Sequence, residues 1–124
     1  MRVKDAVGRF GEDVAVEFLR RAGVVVLERN WRCPEGEIDI VGHDGAELVI
    51  VEVKTRSSGS YGSPAEAVDH AKAARLRRLA IRWIEAHRGD PAVPEWSSVR
   101  IDVIAVVRSR RGGGPQIDHF VGAV

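Results

Sequence analysis

The stretch GEIDIVGHDGAELVIVEVKTR, residues 36–56, decides the fold. It contains two β-branched runs, Glu37 to His43 and Glu47 to Thr55, joined around Asp44-Gly45. Both joining residues tolerate positive φ, so the dipeptide suits a tight hairpin and the runs read as antiparallel neighbours. With Asp44 and Gly45 as the two loop residues, His43 faces Ala46, Asp39 falls opposite Ile50 and Glu37 opposite Glu52. Side chains alternate along a strand and opposed residues point the same way, so Glu37, Asp39, Glu52, Lys54 and Arg56 are expected on one face. Carboxylates ~4.5–5.5 Å apart across a hairpin destabilise it unless positive charge lies between them. A divalent cation would supply that charge. Oxygen ligands suit Mg2+ or Mn2+, which activate bound water and stabilise charge on a phosphate under in-line attack. Lys54, on the same face, orients the water or offsets phosphate charge. The pattern points to a hydrolytic phosphodiesterase.

Working outward, Val7, Phe10, Val14 and Phe18 recur every three or four residues between Asp5 and Ala22, with Gly23 as a stop signal, which predicts a first amphipathic helix. Val24 to Leu27 begins a strand ending near Trp31, before the turn Pro34-Glu35-Gly36. Beyond the hairpin, Ser57 to Pro64 is small and polar and reads as a mobile loop that gates a substrate. A helical pattern follows from about Pro64 to His87, broken by Gly89-Asp90-Pro91. Val99 to Val107 reads as a buried strand, Ser109 to Pro115 as a basic glycine-rich loop, and Gln116 to Val121 as an edge strand. The expected order is αβββαβ with a short β tail: an α/β fold with a mixed central sheet flanked by helices, in one domain spanning 1–124.

Bulk properties narrow the classes. A chain of 124 residues can bury one core without disulfides, and 44% hydrophobic with 30% charged residues is a globular balance. A net charge of +1 does not by itself mark a nucleic-acid binder, so any such reading rests on where charges cluster. The lone Cys33 excludes an intramolecular disulfide and a cysteine-based zinc site. Without an apolar signal segment or a run of ~18 apolar residues, a cytoplasmic protein with no membrane partner is expected.

Other residues carry two readings each. The acidic hairpin is either a cation site or a solvated face of cross-strand ion pairs, and the apolar neighbours Ile38, Ile40, Val51 and Val53 favour burial. Glu12 is a site carboxylate or a first-turn acid favouring its helix N-terminus. Glu37 is a ligand, a group behind the ligands or an exposed residue. Lys72 lies on the apolar stripe of the second helix and either reaches the site or a phosphate, or snorkels past the core to water. Arg75, Arg77, Arg78, Arg82 and Arg88 make that helix basic, and with Arg108, Arg110 and Arg111 they either track a nucleic-acid backbone or form solvated faces. Tyr61 stacks on an unpaired base or packs locally. Asp102 pairs with Arg100 or anchors a loop. The four histidines lack ligand spacing, so no zinc site is assigned.

Asp39 followed by Glu52-Val53-Lys54 on the next strand resembles the PD-(D/E)xK motif of restriction-endonuclease-like nucleases, with Ile38 where the motif has proline. More closely, Gly36 to Val41, Val51 to Arg56 and Arg100 to Ile104 resemble the YraN family of uncharacterised bacterial proteins, a likeness extending to Gly11-Glu12, Ala15 and Arg29-Asn30. The resemblance implies a restriction-endonuclease-like αβββαβ core similar to archaeal Holliday-junction resolvases. It implies Asp39 and Glu52 as metal ligands, Lys54 as the catalytic lysine and Glu12 as the acid of the first helix. Glu37 is a further candidate ligand; Arg56, Lys72, Arg75 and Tyr61 are candidates for binding nucleic acid. The second helix lacks the glutamine and tyrosine of exonuclease-like relatives, which favours endonuclease action. The expected activity is Mg2+- or Mn2+-dependent cleavage of DNA, branched or structured DNA in repair or recombination included. The alternatives are a non-catalytic nucleic-acid-binding adaptor and an RNA-processing nuclease. Junction resolvases act as dimers, so a homodimer is expected by the same resemblance.

Overall fold

The computed structural model describes residues 3–57, 69–108 and 112–124. The elements are α1 (Val3–Arg21), β1 (Val25–Cys33), β2 (Gly36–Asp44), β3 (Glu47–Ser57), α2 (His70–Ala86), β4 (Ser98–Arg108) and β5 (Gln116–Phe120). They form a mixed α/β fold around one five-stranded sheet in the order β1-β2-β3-β4-β5. β1, β2 and β3 are antiparallel neighbours, β3 and β4 are parallel, and β5 returns antiparallel on the edge. A parallel pair needs a crossover, and α2 supplies it. No helix among the described residues is long and apolar enough to cross a membrane.

Alternation distributes the core between two layers. Val49 and Val51 pack with Ala15, Val16 and Leu19 of α1. Leu48 and Ile50 pack with Leu76, Leu79 and Trp83 of α2. The central strands are therefore covered on both faces and read as nearly unbroken apolar runs. α1 ends as Gly23 takes φ +89, while the Gly23 and Val24 N–H groups return to the Arg20 and Leu19 carbonyls, a Schellman closure. α2 begins at His70, capped by Asp69, whose carboxylate accepts the Lys72 N–H at 2.8 Å. Residues 64–68, expected within this helix, lie outside the described residues, as do the Gly/Ser loop from residue 58 and Tyr61.

The hairpin register differs from the expected one. Asp44 pairs with Glu47, so the loop is Gly45-Ala46 and the pairing runs through Val41↔Ile50 to Ile40↔Val51. Gly45 takes the positive φ (+60) at the first loop position, and Asp44 stays in the strand, where Arg100 holds its carboxylate at 3.2 Å. Carried one step further, this register sets Asp39 abreast of Glu52, not Ile50, and Glu37 no longer faces Glu52. A slip of two residues preserves alternation.

A second departure decides the site. Ile38 packs in the α2 layer and Ile40 in the α1 layer, whereas strict alternation would send both the same way. β2 therefore turns over at Asp39, where its pairing with β3 stops. On its other side, β1 carries a register shift between Val26 and Glu28, and Asn30 sits at φ +53 between the pairs Arg29↔Ile40 and Trp31↔Ile38. Such irregularities bend a strand and redirect its side chains.

On β4, paired with Val51 of β3, Asp102 is fully buried. Its carboxylate meets the Arg100 guanidinium at 3.0–3.2 Å, His119 Nε2 at 2.8 Å and the Gly122 N–H at 2.9 Å. Arg100 also holds Glu47 at 2.9 Å. Both expected roles of Asp102, partner of Arg100 and anchor of a loop, are thus realised together. Removing one member of a buried ion pair costs roughly 3–5 kcal/mol, so Asp102→Ala is expected to lower unfolding free energy by that much in urea titration. A loss below about 1 kcal/mol would contradict this structural role. A tight approach fixes α1: a Cβ on Gly11 would collide with the Thr55 side chain of β3. Gly11→Ala is accordingly expected to destabilise by roughly 1–3 kcal/mol, despite alanine's better helix propensity. An unchanged urea midpoint would show that this contact yields freely.

Candidate active site

The site lies where β2 parts from β3. Val53 of β3 points its N–H into the gap left by the ended ladder, and Asp39 Oδ2 accepts it at 2.8 Å in place of a β2 carbonyl. The same carboxylate enters an open cleft of about 440 Å³ lined by Val7, Gly8, Glu12, Asp39, Lys54 and Thr55. Glu12 stands one residue beyond Gly11, so the close contact of α1 with Thr55 sets its height over the strand.

The carboxylates strain against one another. Burial, opposed by the Val53 hydrogen bond and reinforced by the charges of Glu52, Glu12 and Glu37, pushes Asp39 up to about 7. Burial also raises Glu12, against the charge of Arg29 and a hydrogen bond from Asn30. Glu12 Oε1 is buried with no hydrogen-bond partner among the described residues. A buried carboxylate oxygen without a donor loses hydration and gains nothing in return.

Glu52 is arranged differently. Its Oε1 lies 3.1 Å from Lys72 Nζ of α2 and 3.6 Å from Lys54 Nζ. Glu52 and Lys72 are largely buried and Lys54 is half-buried. Lys54 is held below its ordinary pKa, first by its hydrogen bond with Lys72, then by burial and by the charge of Lys72, with Glu52 acting in the opposite sense. Lys72 does not run past the core to water: its head is turned into the site.

The five charged hairpin residues therefore do not share one face as expected. Asp39, turned by the kink, joins Glu12 on the α1 side, while Glu52 meets Lys72 of α2. Glu37 lies opposite Arg32 of β1 and pairs with it at 2.9 Å, reaching Asp39 only through its charge. Arg56 is half-buried on β3, and Arg75 is exposed on α2 beside Lys72. Among the described residues, no three acidic, histidine or cysteine side chains stand close enough together to enclose a metal ion. The chemistry of the donors still fits a hard cation, because an orphaned Glu12 oxygen and a charge-averse Asp39 are the groups whose burden such an ion relieves. Sequence reasoning missed Asn30 as a partner of Glu12. Its signal was an asparagine within a β-branched run, the residue type that tolerates positive φ outside glycine.

Over residues 11–106 the chain matches Uncharacterised protein family UPF0102. A UPF0102 protein of Beutenbergia cavernae is 54% identical over 122 residues, covering 98% of each chain. One from Frankia alni is 56% identical over 124 residues, covering 99% of this chain and 98% of the relative. One from Streptomyces griseus is 49% identical over 122 residues, covering 98% of each.

The raised pKa of Asp39 makes stability depend on pH. Below its unfolded value near 4 the group is protonated in both states; as pH climbs through about 7 the folded protein must accept an ill-placed charge, and stability falls. Asp39→Asn, whose amide oxygen can still accept the Val53 N–H, escapes this loss. In EDTA the variant is expected to gain on wild type between pH 5 and pH 8, by on the order of 2–4 kcal/mol. Urea midpoints that differ by a constant amount across that range would refute the assignment.

Proposed function

The chain belongs to family UPF0102, and we propose that it is a metal-dependent endonuclease that hydrolyses phosphodiester bonds in DNA, branched or structured DNA included. The observation that carries the reading is the gathering of Asp39, Glu12, Glu52 and Lys54 at the point where β2 leaves β3. Each group alone has a structural explanation. Together they place mutually repelling carboxylates, an unpartnered buried oxygen and a lysine beside one open cleft, a combination a purely structural face has no use for. The order αβββαβ, with β3 and β4 parallel around α2, supports reading the fold as a restriction-endonuclease-like core.

Asp39 and Glu52, whose charges bear on each other although they reach the opening from different sides of β3, would hold Mg2+ or Mn2+, with Glu12 or Glu37 assisting. Such an ion supplies an activated water and a counter-charge for the phosphate. The chain's own residues do the positioning. The Val53 N–H fixes the rotation of the Asp39 carboxylate. Lys54 stands on both the cleft wall and Glu52, so its ammonium can orient a water or meet a phosphate oxygen there. Gly11 keeps α1 narrow where it crosses Thr55 of β3.

One observation favours a second reading. Lys54 and Lys72 already neutralise Glu52, which a non-catalytic nucleic-acid-binding adaptor could use as a finished structure. The two separate on a panel of linear, flapped and four-way DNA, with parallel RNA substrates, incubated with Mg2+ or Mn2+. Cleavage is expected in wild type, with a loss of two or more orders of magnitude in Asp39→Asn and Lys54→Ala, a magnitude usual for removing a group that stabilises the transition state. DNA retention without cleavage selects the adaptor. Cleavage of RNA alone selects an RNA-processing enzyme.

A further inference from the structure

α2 carries an unusual division of its cations. Arg82 is paired with both Glu35 and Glu85. On β1 and β4, Arg29, Arg32 and Arg100 are likewise paired with carboxylates. Arg75 and Arg78, by contrast, have no carboxylate partner among the described residues. They line a shallow cleft of about 430 Å³ with Asp69, Ala71 and Lys72. Among the described residues of its wall Asp69 is the one acid, and its Oδ1 is engaged by the Lys72 N–H as the helix cap. Residues 72, 75 and 78 recur every three positions, so their side chains stack along one side of α2 over about 9 Å at 1.5 Å per residue. Lys72 belongs to two places at once: it lines this cleft, and its ammonium lies 3.1 Å from Glu52.

We propose that this cleft seats a phosphodiester of the substrate strand, and that Lys72 couples its occupation to occupation of the carboxylate cluster. This rests on the metal-dependent reading above and names the residues that join its two ligands. In the free protein Glu52 and Lys72 satisfy each other. A divalent cation drawn to Glu52 cancels the carboxylate's attraction and repels the ammonium, which then has the cleft and an incoming phosphate oxygen within its reach. Cation and nucleic acid accordingly tighten each other's binding, and the effect is reciprocal. Arg75 and Arg78, lacking any link to Glu52, contribute charge without coupling.

The test is equilibrium binding of a fluorescein-labelled single-stranded DNA oligonucleotide, read by anisotropy with EDTA or with Ca2+, beside the thermal shift produced by Ca2+ alone. Wild type is expected to show a Ca2+-dependent thermal shift and a rise in DNA affinity of about fivefold or more, the lower range of measured coupling. Lys72→Met should keep the thermal shift and lose the rise, and Lys72→Arg should retain both. Arg75→Met and Arg78→Met should weaken binding equally in EDTA and Ca2+, each lowering the salt slope by about one. A Lys72→Met protein that keeps both the shift and the full rise overturns the coupling while leaving the metal site standing. Absence of any shift in wild type defeats both. Arginine variants that bind DNA as wild type does would remove the phosphate seat.

Discussion

The structure turns on the place where β2 lets go of β3. Two antiparallel strands that stay paired present the same faces throughout, and their carboxylates would lie on one surface beside their cross-strand neighbours. Here the ladder stops at Ile40 and Val51, β2 turns over, and a side-chain oxygen of Asp39 takes the N–H of Val53. That single bond does two things. It satisfies a backbone donor that would otherwise face an apolar gap, and it fixes an acid in a setting where ionising is costly. Glu12, Lys54 and Thr55 are assembled around the opening so made.

The Arg100–Asp102 network explains how the opening is tolerated. Arg100 and Asp102 bind the β2–β3 hairpin, β4, His119 of β5 and the turn at Gly122 into one connected set of charged hydrogen bonds. Each partner of Asp102 meets an oxygen, so a buried carboxylate that would be prohibitive alone is fully engaged. The hairpin is thus fastened at its closed end, and the separation of its strands is confined to the other. Both clusters bring charged groups together, but one is satisfied and the other is not, and this difference separates scaffold from candidate chemistry.

Much of this was legible in the sequence. Alternating β-branched residues around Asp44-Gly45 gave the hairpin, the three-and-four spacing from Val7 to Phe18 gave α1, and the order of elements followed. What escaped was local. The loop slipped to Gly45-Ala46 because a salt bridge from Arg100, fifty-six residues after Asp44 in the chain, keeps Asp44 in the strand. The grouping of five charges on one side failed because alternation presumes an even strand, and the reversal between Ile38 and Ile40 depends on Asn30 in a neighbouring strand. Lys72 was visible as a cation on an apolar stripe, yet which carboxylate it would find depended on how α2 lies across the sheet. Composition and spacing register which residues are present along an element, while these outcomes depend on tertiary partners.

The two principal acids are mounted on unlike supports. Glu52 rides on a strand whose backbone is zipped to β4 without interruption from Glu47↔Ser98 to Ser57↔Arg108, a rail with no slack. Asp39 rides on a strand released from β3 and attached there to a kinked outer neighbour. Any adjustment of spacing between them therefore falls to the Asp39 arm, so that the pair behaves as a fixed anvil and a sprung jaw, tuned by the stiffness of β1.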